Sequence, residues 1–129
     1  MAEPQPVTTP VAARQALTRV GLGYIGFALA EPGWFETAFG EIDPVDSDPG
    51  EEAMLPGPLS RLVDALDACL ATGLLDEDRR RGAEWPCWSA VHGFALLALH
   101  GPLRGWPIEE LQHRAGRTVD TVIDGLVAG

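Results

Sequence analysis

The apolar residues of this chain recur at intervals of three and four. No β-branched alternating run bounded by hairpin turns competes with that spacing. Leu17, Val20, Tyr24 and Phe27 make one row, and Leu22, Ile25 and Leu29 make a second. A helix apolar on two sides is expected to be mostly buried. Leu59, Leu62, Val63, Leu66 and Leu70 give an amphipathic helix. Ile108, Leu111, Ala115, Val119 (or Thr118), Val122, Ile123 and Leu126 come close to a heptad seam. The pattern therefore predicts an all-α bundle of four main helices and one short one.

Proline and glycine mark the ends. Residues 1–10 hold three prolines and read as a disordered lead-in, with the helical domain running over 11–129. The first helix begins near Val11 and stops at Pro32, because proline disfavours helix at the residue before it. A short helix restarts at Pro32, carries Trp34, Phe35 and Phe39, and ends at Gly40. Residues 41–58 hold six acids, no base and four prolines, and read as an exposed acidic loop without the calcium-loop pattern. The next helix ends near Thr72-Gly73. Arg79, Arg80 and Arg81 lie beside Asp76, Glu77 and Asp78, which reads as a self-compensated surface turn and not as a DNA-binding patch. A fourth helix runs from about Trp85 to His100 and ends at Gly101-Pro102. The last opens at Pro107, with Glu109 and Glu110 where the helix dipole favours acids.

At 129 residues the chain makes one domain large enough for a real core. Its net charge of −10 makes it a poor partner for nucleic acid, whose binding depends on neutralising phosphates. No apolar run reaches the length of a membrane span, and no secretory leader is legible. Cys69 and Cys87 have neither metal spacing nor a disulfide framework, so a reducing cytoplasm is expected. All nine basic residues are arginine, which with abundant Ala, Gly and Pro suggests a bacterial source.

Catalytic and metal patterns are wanting. Ser89 lies mid-helix and on no nucleophile elbow. Gly21, Gly23 and Gly26 follow no strand, so they read as helix-packing glycines and not as a phosphate loop. His92 and His100 are two turns apart, about 12 Å, too far to share a metal. A small helical enzyme would rest on Cys87, His92 and Tyr24 alone. We therefore expect no catalytic residues, no metal and no cofactor.

Two other constellations carry more. Trp88 and His92 share a helical face one turn apart, followed by Gly93 in a helix interior. His92 can orient a ligand in an apolar pocket with Tyr24, or it can be a satisfied group in the core or in a dimer seam. The last two helices are apolar and joined by a short turn, so they can supply half of an intermolecular four-helix bundle. Gly93 and Ala98 would allow close approach there.

Trp88-Ser89-Ala90-Val91-His92-Gly93 with Phe94-Ala95-Leu96-Leu97 resembles the Trp-His-Gly signature helix in one subgroup of TetR-family regulators. Tyr24-Ile25-Gly26-Phe27-Ala28, then Pro32, then Trp34-Phe35 and Phe39-Gly40, is similar to an earlier motif of the same group. The resemblance covers roughly residues 11–127. It implies an effector-binding and dimerisation domain of a bacterial repressor that senses a small, mostly apolar molecule. The ligand-facing candidates are Tyr24, Phe27, Trp34, Phe35, Leu62, Leu66, Trp88 and His92. The homodimer candidates are Gly93, Leu96, Leu111, Ala115, Val119, Val122 and Leu126. The family's helix-turn-helix head is not legible in this sequence, so DNA contact is expected only through a missing N-terminal segment. The alternative is a stand-alone helical protein that pairs with a relative or sequesters a ligand.

Overall fold

A computed structural model describes residues 7–33 and 58–128. Among them every regular element is an α-helix: α1 (Pro10–Ala30), α2 (Pro58–Ala71), α3 (Glu77–Arg80), α4 (Glu84–His100) and α5 (Ile108–Ala128). Pro32 and Gly33 are helical again. The rest of the predicted short helix, with Trp34, Phe35 and Phe39, and nearly all of the acidic loop lie outside the described residues. A different short helix, α3, occupies the arginine-rich connection, where the sequence predicted only a turn. Asp76 starts it by accepting the Arg79 amide at 2.8 Å.

The first helix begins earlier than predicted. The Thr9 side chain accepts the Ala12 amide at 3.1 Å, and Pro10 follows at the first helical position, where its missing N–H costs nothing. Val7 packs against the core, so the end of the expected lead-in belongs to the folded unit. The other terminus of α1 closes when the Glu31 amide donates to the Phe27 carbonyl at 2.8 Å. Helix α2 stops as predicted: Gly73 takes φ +84°, and the Leu75 amide reaches back to the Cys69 carbonyl at 3.1 Å.

Helix α1 is the centre of the bundle, packing against α2, α4 and α5, while α4 also packs on α5. Ile25, Leu66, Cys69 and Leu75 are the deepest large side chains. Gly21 explains the close approach of α1 and α5, since a Cβ added there would lie 3.1 Å from a Val119 methyl. Gly23 and Gly26 face open space, so the packing role predicted for all three glycines belongs to Gly21 alone. The prediction that α1 is buried on two sides is also corrected. Leu22 is 38% and Phe27 47% exposed, because neighbouring helices cover α1 mainly along the Ala13–Leu17–Ile25–Ala28 side.

The heptad-like seam of α5 has a destination the sequence did not predict. Leu111, Ala115 and Val119, expected at a dimer interface, are 7%, 3% and 4% exposed within the single chain. Together with Ile123 they form the inward stripe of α5, at four-residue spacing, and complete the protomer's own core. Side chains so enclosed offer nothing to a second copy. Val122 and Leu126 are only partly buried, and both pack against that core.

Candidate functional site

A cavity of about 640 Å³ opens where α1, α2, α4 and α5 meet. Its walls follow from the helical periodicity. Helix α1 turns Ala16, Val20, Tyr24 and Phe27 toward it, α2 contributes Leu62, α4 contributes Cys87, Trp88 and Val91, and α5 contributes Val119, Val122 and Ile123. Gly21 and Gly23 also line it, between the larger side chains of α1. An apolar hollow of this size lies within the range of small-molecule sites, roughly 300–1,000 Å³.

The polar groups of the site converge from the two sequence motifs. The Tyr24 hydroxyl lies 2.9 Å from His92 Nδ1, and the two rings sit with centroids 6.4 Å apart. The Trp88 indole also hydrogen-bonds Tyr24. An indole N–H only donates, so Tyr24 accepts from Trp88, while a single proton, carried by the hydroxyl or by Nδ1, joins Tyr24 to His92. Burial pushes the Tyr24 phenol up to about 12, with the Trp88 bond opposing it, and the same desolvation lowers His92. Both groups are thus held neutral at ordinary pH.

Of the predicted ligand-facing residues, Tyr24, Phe27, Leu62 and Trp88 line the cavity. His92 stands behind Tyr24, bonded to it and not part of the wall. Leu66 is displaced from its expected place. One turn beyond Leu62 on α2, it is fully enclosed in the core, with no surface left for a ligand. Trp34 and Phe35 lie outside the described residues. The sequence reading missed Arg19 and Arg61, which line the cavity from α1 and α2 although both are exposed. The apolar rows gave no signal for them, since a residue next to Val20 or Leu62 does not share its helical face.

Nothing in this geometry prepares a nucleophile. Burial, then the neighbouring Cys69, pushes the Cys87 thiol up to about 11, so it is not a thiolate near neutral pH. Among the described residues no group of His, Cys, Asp and Glu is placed to hold a metal ion. No described helix is long and apolar enough to cross a membrane.

The family model of the tetracyclin repressor-like C-terminal domain matches residues 17–122. The chain is also similar to the probable magnesium transporter NIPA7 of Arabidopsis thaliana. The two are 33% identical over 100 residues, which is 73% of this chain and 30% of that protein. The chain thus spans less than a third of the length of that curated relative. No solved structure gives a significant match.

Proposed function

This chain belongs to the tetracyclin repressor-like C-terminal domain family, and from that membership we propose that it is the sensing and pairing part of a bacterial transcriptional repressor. Domains of this family are regulatory and not catalytic. In our reading a small, mostly apolar effector enters the cavity between α1, α2, α4 and α5. A second copy docks on the chain, and DNA is contacted by a separate helix-turn-helix unit in the cytoplasm. The observation that carries this reading is the cavity itself, apolar along four helices and backed by the Tyr24–Trp88–His92 hydrogen bonds.

The physical logic is linkage. An effector that fills the hollow joins four helices through one set of contacts. It favours whichever helix arrangement fits it best, and can shift an equilibrium only by its differential affinity for the alternatives. Arg14 of α1 pairs with Asp124 of α5, so those two helices are already coupled at the surface as well as at Gly21.

Native mass spectrometry of the purified chain, followed by thermal denaturation with a panel of small apolar compounds, tests the proposal. A retained small molecule, or a compound that raises the melting temperature in the wild type but not in Ala16→Trp, supports it. The Trp side chain would fill the cavity from α1. If no compound changes the melting temperature and the chain carries nothing from the cell, the sensing function is wrong.

A further inference from the structure

The charge at the cavity rim is opposite to that of the protein. The chain has nineteen acidic residues and nine arginines, yet the described cavity lining includes Arg19 and Arg61 and no Asp or Glu. Five of the seven other arginines are engaged. Arg14, Arg80, Arg81 and Arg114 each sit on a carboxylate, and Arg79 donates to the Val127 carbonyl at 3.2 Å. Arg19 and Arg61 form no ion pair among the described residues. Each is exposed while lining the wall, as suits a long side chain that lays its stem on apolar surface and keeps its charged head in water. Deeper in the cavity, the Tyr24 hydroxyl is already engaged by Trp88 and His92. The interior therefore suits an apolar body, and the rim suits an anion.

We propose that the effector is an anionic amphiphile: a carboxylate whose apolar tail fills the cavity and whose head is held by Arg19 and Arg61. This rests on the effector-cavity reading above and names the ligand's chemistry. A guanidinium presents paired N–H donors that match a carboxylate edge, and such charge-assisted bonds are stronger than neutral ones. The same two cations disfavour an amphiphile with a positive head.

Calorimetric titration of the full chain with three ten-carbon probes, below their micellar concentrations, tests this. The probes are decanoate, decanol and decyltrimethylammonium. Decanoate is expected to bind about tenfold more tightly than decanol, as a charge-assisted bond predicts, with the advantage shrinking as salt is added. The double variant Arg19→Gln, Arg61→Gln should reduce decanoate to the affinity of decanol and leave decanol unchanged. Both positions are exposed, and circular dichroism checks that the variant keeps its helices. Equal binding of decanoate and decanol, or an unaltered decanoate affinity in the double variant, overturns the anionic head while the cavity reading stands. If none of the three probes binds, the cavity reading falls with it.

Discussion

Trp88 has an N–H to give and nothing to receive with, and this asymmetry orders the polar contacts behind the cavity. With Trp88 donating to Tyr24 and His92 Nδ1 2.9 Å from the same hydroxyl, three side chains from two helices are held in one pattern. Tyr24→Phe leaves the aromatic wall in place but deprives both Trp88 and His92 of this partner. The expected loss is about 1–3 kcal/mol of unfolding free energy, the usual range for stranded donors and acceptors, toward the lower end because the site is only partly buried. Urea denaturation measures it, and an unchanged midpoint would show that water replaces the hydroxyl without cost. The pH dependence has a definite sign. His92 is lowered below 6.5 in the folded chain, so the unfolded chain takes up the proton first. Its contribution to stability is complete above pH 6.5 and erodes as pH falls below that value toward the folded pKa. Denaturation midpoints collected downward from pH 6.5 should therefore fall less steeply in His92→Gln, whose amide does not titrate in this range. Equal slopes would assign the loss to other groups. Trp88 and His92 were conspicuous in the sequence because they share a helical face. A pocket shared by His92 and Tyr24 was one of two readings left open, because periodicity assigns residues to faces and does not say which faces oppose each other. Arg19 and Arg61 were overlooked for a related reason. A single arginine on a helix reads as solvated until the cavity beside it is known.

Between elements, the arginine triplet shows how far a local reading carries. The sequence predicted a surface turn whose charges cancel, and the charges do pair. Arg81 reaches Asp78 at 3.6 Å, with both side chains largely exposed. Arg80 behaves differently. Its side chain is only 14% exposed, and it bridges Asp67 of α2 at 2.9 Å and Glu84 of α4 at 3.2 Å. One guanidinium thereby ties the short helix α3 to the two longer helices on either side. Exposed ion pairs contribute about 0–1 kcal/mol, and a partly enclosed, doubly bonded one lies above that median. Arg80→Ala is expected to cost at least about 1 kcal/mol, and Arg81→Ala close to none, in parallel thermal melts. Equal melting temperatures for the two variants would remove the bridge from any account of stability. The helices themselves were readable because proline, glycine and capping residues fix their ends locally. Gly73, Gly101 and Pro107 all stand at or near the observed boundaries. The role of α5 was not readable in that way. A four-residue apolar stripe looks the same whether it packs against its own bundle or against a second copy, and Gly21 on α1 decides the matter by letting Val119 come close.

For the whole molecule, the outward face of α4 is a described surface that leaves apolar side chains uncovered. The inward stripe, Cys87, Val91, Phe94, Ala95 and Ala98, is buried. On the other side Leu96 is 41% and Leu97 47% exposed, and Gly93 has no atom near the place a Cβ would occupy. Glycine in a helix interior costs up to about 1 kcal/mol relative to alanine. Among the described residues nothing near Gly93 offsets that cost, whereas a second helix laid across Gly93 and flanked by Leu96 and Leu97 would use the missing side chain for close approach. This surface differs from the seam expected on α5, since Leu111, Ala115 and Val119 are enclosed in the core. Of the residues expected to pair copies, Gly93 and Leu96 are the ones on an outward helical face. A homodimer built there should respond sharply to one charge. Leu96→Glu adds no strain to the monomer, because the position faces outward, but it would bury a carboxylate opposite its own symmetry mate in an isologous interface. In light scattering at tens of micromolar, the wild type should run as a dimer and Leu96→Glu as a monomer with unchanged helical circular dichroism. The melting temperature of the wild type should also rise with protein concentration while that of the variant does not, because association stabilises the folded chain by mass action. A wild type that scatters as a monomer over this range would remove α4 as the pairing surface. A dimer indifferent to Leu96→Glu would move the interface to another face of the bundle.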